Sequence, residues 1–210
     1  MKDREFNIWQ EQRELNRVMN TTNAKYISKE NIFNYQLALI SEISEHMDCY
    51  AWKHWSKEAK DGKRWMCVDP QNAKVEVIDI LFFVLSLMQS AGIKEDDFYH
   101  IWDKAWKNKK GKITQVNAIT LANDLLRACL RLKNPIKYDK YGSISFVDFY
   151  NYRTDDIPVA MVKLLKCYFA SESDAIAVYK QKLNINYARM KRGRKQFGDK
   201  LSEKENKTIK

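Results

Sequence analysis

Glycine and proline are scarce in this 210-residue chain, with six and three residues respectively. Few positions can supply a positive φ or a fixed turn, so long uninterrupted segments follow, which favours helices over a many-turned β fold. Metal-binding cysteine spacing is missing too. Cys49, Cys67, Cys129 and Cys167 are widely scattered, with no C-x-x-C pair, which argues against a structural zinc site. The opening "MKDREFNIWQ" lacks the apolar stretch of a secretory signal, so reduced thiols and a cytoplasmic setting are expected. The longest apolar run, Val77 to Met88, contains Asp79 and is too short to span a bilayer. There is no internal repeat and no low-complexity segment.

Apolar residues make up 45% of the chain and charged residues 30%, a globular rather than a disordered composition. Six Trp, eleven Tyr and nine Phe offer a large aromatic payload for a core, a stacking site or an interface. The net charge of +10 is uneven. Lys180 to Lys210 holds eleven Lys/Arg against three Asp/Glu, or +8, leaving +2 for the remainder. An anionic partner is therefore expected at the C-terminal end: phosphates, nucleic acid or an acidic surface.

Apolar periodicity predicts a helix over about 3–19, and another over about 31–55 with Phe33, Leu39, Ile40, Ile43 and Met47 on one stripe. A loop near 60–72 is marked by "KDGKR" and "DPQN". A strongly apolar helix over 73–91 closes at Gly92. Helices are also predicted to end near Gly111, to run from an N-cap at Thr114 to Lys133, and to cover 157–170. Ser171 and Asp174 resemble a capping box that opens a last helix running to about Arg192. The stretch 138–156 is ambiguous. The simplest reading is one all-α domain over 1–193, a multi-helix bundle, followed by a basic tail over 194–210.

Four acids stand out. Glu42 and Glu45 lie in a stretch, Asn31 to Trp52, with no Lys or Arg at all. Glu76 and Asp79 are the only charged residues between Val75 and Ile93. None of the four has a Lys or Arg three or four positions away, where a helix would place an ordinary partner. The alternative for Glu42 and Glu45 is a solvated helix face. For Glu76 and Asp79 it is weaker, because a helix apolar all round belongs in a core. There an unpaired carboxylate costs several kcal/mol or takes a proton. A shared divalent cation answers both the burial and the mutual repulsion. Oxygen-only ligands favour Mg²⁺, or Mn²⁺, over zinc. A di-iron bundle would need Glu-x-x-His, and His46 directly follows Glu45 instead. Mg²⁺ held by few carboxylates also binds substrate phosphates, which links these acids to the basic C-terminus.

Near that end, Lys182, Asn186 and Arg189 share one helix face and could cradle a phosphate chain, the alternative being an exposed basic helix. Gln12 and Asn16 are one turn apart and could pair with a base edge, or be ordinary surface residues. Trp52 and Trp55 could flank a nucleotide or seal the core.

These blocks together resemble a family. E-x-x-E at 42–45 followed by E-x-x-D at 76–79 is similar to the all-α nucleoside triphosphate pyrophosphohydrolases. "AWKHWSK" (51–57) resembles the W-K-x-W block of the dimeric dUTPases. "YKQKLNINYARMKRG" (179–193) resembles their C-terminal Y-x-x-K-x-x-x-N-[FY]-x-R-x-x-x-G block, and Gln12 with Asn16 their Q-x-x-x-N. The resemblance runs from about residue 10 to 206, and a phage dCTP/dUTP pyrophosphatase is also similar. Two positions depart from the pattern: Met190 where glutamine is usual, and Ser56 before Lys57 where the second lysine is usual. They bear on phosphate, sugar and base contacts, not on the four acids. The resemblance implies hydrolysis of dUTP, and of dUDP, to dUMP, by an obligate homodimer. It implies Mg²⁺, two or more ions with substrate bound, on Glu42, Glu45, Glu76 and Asp79, with Glu45 as the base. It implies substrate contacts from Gln12, Asn16, Trp52, Lys53, Trp55, Lys57, Lys182, Asn186, Arg189 and Asn206. A dCTP/dUTP pyrophosphatase, a helical nucleic-acid-binding protein and a plain interaction module are the competing readings. The nucleic-acid reading leaves Glu76 and Asp79 without a role, and the interaction module, with a structural metal or none, predicts that both acidic pairs tolerate substitution.

Overall fold

The computed structural model describes residues 5–19, 29–108, 117–132, 136–138, 144–146, 156–191 and 207–209. Seven α-helices run through them: α1 (Ile8–Met19), α2 (Lys29–Asp48), α3 (Pro70–Ser90), α4 (Glu95–Lys107), α5 (Ala118–Leu130), α6 (Asp156–Leu165) and α7 (Glu172–Lys191). The architecture is the expected all-α bundle. Its one β element among the described residues is a small antiparallel hairpin, β1 (Ile136–Tyr138) with β2 (Ile144–Phe146), which falls beside and within the ambiguous stretch.

Helix starts follow local chemistry. The Asn7 carboxamide oxygen accepts from the Gln10 N–H at 3.0 Å and so caps α1. Asp69 accepts from the Asn72 N–H at 3.0 Å, and Pro70 fills the first helical position of α3. The capping box of α7 forms as expected, with the Ser171 N–H donating to Asp174 at 3.0 Å and the Asp174 N–H to Ser171 Oγ at 3.2 Å. Gly92, with φ 77°, ends α3. The predicted N-cap at Thr114 lies outside the described residues.

α3 is the axis of the bundle. It packs against α1, α2, α6 and α7, and almost every residue from Ala73 to Met88 is buried. Trp9, Phe98 and Trp102 form an aromatic run that ties α1 to α4, with ring centroids 5.0 and 5.2 Å apart. Ile209 is buried as well, and its carbonyl accepts from Gln71 Nε2 at 2.8 Å, so the last described residues rest on the first turn of α3.

Two expectations fail in α2. The helix stops at Asp48 rather than near Trp55. Beyond it the backbone finds a partner of its own: Tyr50 and Cys67 form an antiparallel bridge, and Ala51 exchanges bonds with Met66 and Trp65 at 2.9 and 3.0 Å. "AWKHW" is therefore part of a loop between α2 and α3 that contains a short π-helical turn, Ala59–Lys63. Trp65 in that loop has φ 66°, a strained value for a bulky side chain. The stripe also rotates. Leu39 and Ile43 are buried as expected, but Phe33 and Ile40 are 59% and 42% exposed, with Leu37 between them at 49%.

Candidate active site

The acids of α2 and α3 converge. Carboxylate oxygens of Glu42, Glu45 and Glu76 lie within 4.8 Å of one another. Glu76 is buried, Glu42 half-buried and Glu45 exposed, so the cluster forms a wall graded from core to surface. Asp79, one turn along α3 from Glu76, is not in that group, and α7 supplies it with a cation. Lys182 Nζ lies 2.5 Å from Asp79 Oδ2, and the two side chains are only 3% and 14% exposed. This pair spans the bundle and was not visible from spacing.

Charge density governs the protons here. Burial, then the neighbouring charges of Asp79, Glu45 and Glu76, push the Glu42 carboxyl up to about 9. Burial and Asp79 push Glu76 up to about 8. Asp79 is also raised, by burial, against the opposing pull of Lys182 and Arg189. Carboxylates that hold protons so far above their usual range are short of positive charge. An oxygen-only, anionic and partly open donor set of this kind fits a hard divalent cation.

His46 points elsewhere. It is fully buried, its Nε2 meets Tyr168 Oη at 2.6 Å, and burial pulls it down to about 4, so it is neutral. Tyr168 Oη also contacts Tyr50 Oη. This chain fastens the end of α2 to the α6–α7 turn and takes no part in the acidic cluster.

Seven residues, about 10 Å of helix at 1.5 Å per residue, separate Asp79 from a second polar group on α3. Gln12 and Asn16 are only 2% and 5% exposed, not the surface residues that were the alternative. Gln12 Nε2 donates to Asn16 Oδ1 and to Ser86 Oγ, both at 3.0 Å. Tyr179 Oη donates to Gln12 Oε1 at 3.0 Å, and Asn16 Nδ2 to Gln89 Oε1 at 3.2 Å. Tyr179 and Lys182 are one turn apart on α7, so both polar groups sit on the same pair of helices. Ser86, Gln89 and Tyr179 were not among the expected site residues. A signal existed: Ser86 and Gln89 follow Asp79 at i+7 and i+10, continuing a polar stripe down an apolar helix.

The match of this chain to the dUTPase family model covers residues 6–193, from just before α1 to just past α7. The chain belongs to the all-α dUTPase family. As a dUTPase it is a hydrolase that acts on dUTP, and dUTPases generally use divalent metal ions. No curated protein is similar enough to it to count as a match.

Asn186 and Arg189 follow Lys182 along α7 and are half-buried, and Arg189 is near enough to lower Asp79. Trp52, Lys53, Trp55 and Lys57 ride on the α2–α3 loop. Trp52 and Trp55 meet edge to face at 6.2 Å, and Lys53 pairs with Asp48 at 2.9 Å. Trp55 is 59% exposed, so it does not seal the core. Asn206 lies outside the described residues. Among the described residues, no helix is long and apolar enough to cross a membrane.

Proposed function

We propose that this dUTPase is a Mg²⁺-dependent pyrophosphatase that converts dUTP, and dUDP, to dUMP, with Mn²⁺ as the alternative ion. The observation that carries the reading is the convergence of Glu42, Glu45 and Glu76 beside an Asp79 already paired with Lys182. The four carboxylates would hold the ions, two or more once the nucleotide is bound. Such ions supply charge neutralisation of the phosphate oxygens and polarisation of water. The other steps belong to side chains. Glu45, the most exposed acid of the cluster, orients the attacking water and accepts its proton. Lys182 and Arg189 bring positive charge to the phosphates, Lys182 as a point charge and Arg189 as a planar fork, with Asn186 between them. Gln12 and Asn16 meet the base about two helical turns away. The spacing suits a nucleotide laid along α3 with its triphosphate at the acids. Trp52, Lys53, Trp55 and Lys57 approach from the loop.

The working unit in this proposal is a homodimer. Phe33, Leu37 and Ile40 form an exposed apolar stripe on α2, and at 100° per residue it faces away from Glu42. The four free cysteines support a reducing, cytoplasmic setting. The test is pyrophosphate release from a panel of deoxynucleoside triphosphates, with and without Mg²⁺, by wild type and by Glu76→Gln. Turnover of dUTP that needs Mg²⁺ and disappears in Glu76→Gln is expected. Equal turnover in EDTA would overturn the metal assignment.

A further inference from the structure

We propose that Gln89, Ser86 and Tyr179 set base choice, as positioning residues that polarise the Gln12 and Asn16 amides to accept uracil and refuse cytosine. The inference rests on the reading that Gln12 and Asn16 face the base.

An amide can turn either way, and which way it turns decides which base it reads. Here one backbone group decides. Gln89 Nε2 lies 2.8 Å from the Trp9 carbonyl, and a carbonyl can only accept. Gln89 Oε1 must then face the other way, where it accepts from Asn16 Nδ2. Asn16 Oδ1 is thereby turned toward Gln12 Nε2, and Gln12 Oε1 toward Tyr179 Oη, whose proton has Gln12 Oε1 at 3.0 Å and the Ile8 carbonyl at 3.5 Å. Ser86 Oγ sits in the middle. It accepts from Gln12 Nε2 at 3.0 Å, and its single proton has the Phe82 carbonyl at 2.9 Å and Asn16 Oδ1 at 3.1 Å within reach. Stacking of the Phe82 and Tyr179 rings, 4.3 Å apart and 10° from parallel, holds the phenol at the end of the chain.

On the Gln12 and Asn16 amides these bonds leave one lone pair on Gln12 Oε1 and one N–H of Asn16 uncommitted, with a lone pair on Asn16 Oδ1 as well when Ser86 gives its proton to Phe82. Uracil presents N3–H beside a carbonyl oxygen, so it fills the first two. Cytosine presents an acceptor at N3 beside an amino group, the reverse polarity. Reading cytosine would require both amides to flip, which points Gln89 Oε1 at the Trp9 carbonyl. A base seated on Gln12 and Asn16 would shut out the remaining water, so a mismatch would go unrepaired, and buried groups left unpaired discriminate strongly.

The experiment is equilibrium binding of dUMP and dCMP to wild type, Gln89→Leu and Tyr179→Phe, with kcat/KM for dUTP and dCTP measured beside it. Wild type should prefer dUMP. Each variant should lose about tenfold or more of the uracil-to-cytosine ratio in both assays, while dUTP turnover continues. A general packing defect would weaken both bases equally and leave the ratio alone. A wild type without preference for dUMP, or a ratio unchanged in both variants, overturns the inference. Failure of wild type to hydrolyse dUTP would instead overturn the reading of the site, and the binding ratios would still decide the question of polarity.

Discussion

Removing one acid should make the protein more stable while destroying its function. Glu76 is 4% exposed, and its carboxyl is raised from an ordinary 4.5 to about 8. The unfolded chain releases this proton near pH 4.5, the folded chain only near 8. Between those values the unfolded state binds fewer protons, so folding stability falls as pH rises. At pH 7 the difference is two and a half pH units, or about 3 kcal/mol at about 1.4 kcal/mol per unit. Glu76→Gln keeps the shape, removes that penalty and relieves Glu42. In a chain of this length 1 kcal/mol moves the midpoint by about 2–4 °C, so Tm in EDTA should rise by roughly 6–12 °C at pH 7. The gain should shrink toward zero near pH 4.5, where wild type also carries the proton. Circular dichroism melts of both proteins at pH 4.5, 7 and 8.5 are sufficient. A variant no more stable than wild type at pH 7, or a gain independent of pH, would refute the claim that Glu76 is charge-strained.

Other outcomes follow from the same geometry. Lys182→Met leaves Asp79 buried without its partner and should cost about 3 kcal/mol in urea unfolding, together with a large loss of kcat/KM for dUTP; a stable, active variant would show that the pair is incidental. Mg²⁺ titrated into the metal-free protein should expel protons and bind more tightly as pH rises from 6 toward 9, because Glu42 and Glu76 titrate at about 9 and 8. Calorimetry in buffers of different ionisation enthalpy reads this directly, and pH-independent affinity would count against it. Phe33→Glu with Ile40→Glu should turn a dimer into a monomer in light scattering at micromolar concentration, whereas an unchanged mass would place the interface elsewhere.

What the chain reveals in one dimension depends on how local the cause is. The capping box at Ser171 and Asp174 and the stop at Gly92 are settled within four residues, and they form as read. The convergence of Glu42, Glu45 and Glu76 was legible because the absence of a nearby Lys or Arg is a local fact too. The end of α2 was misjudged because Tyr50 prefers a backbone partner at Cys67, seventeen positions away, and nothing in "AWKHW" announces that. Phe33 and Ile40 are apolar and correctly periodic, but periodicity does not say whether a stripe faces the core or another molecule. The Lys182–Asp79 pair and the chain through Gln89 join helices far apart in sequence. Of these only Ser86 and Gln89 left a trace, as polar residues in register with Glu76 and Asp79.

The tryptophans have an optical consequence. Trp9 and Trp102 are sealed at 0% and 1% exposure, while Trp55 and Trp65, on the α2–α3 loop, are 59% and 46% exposed. Emission from this protein should therefore separate into a blue component that iodide cannot quench and a red component that it can. The first reports whether the bundle is intact. The second belongs to the loop carrying Lys53 and Lys57, so a nucleotide that settles against that loop would dim or shift the red light and leave the blue as an internal reference. The chain thus supplies, without any added label, its own two-colour meter for occupancy and folding.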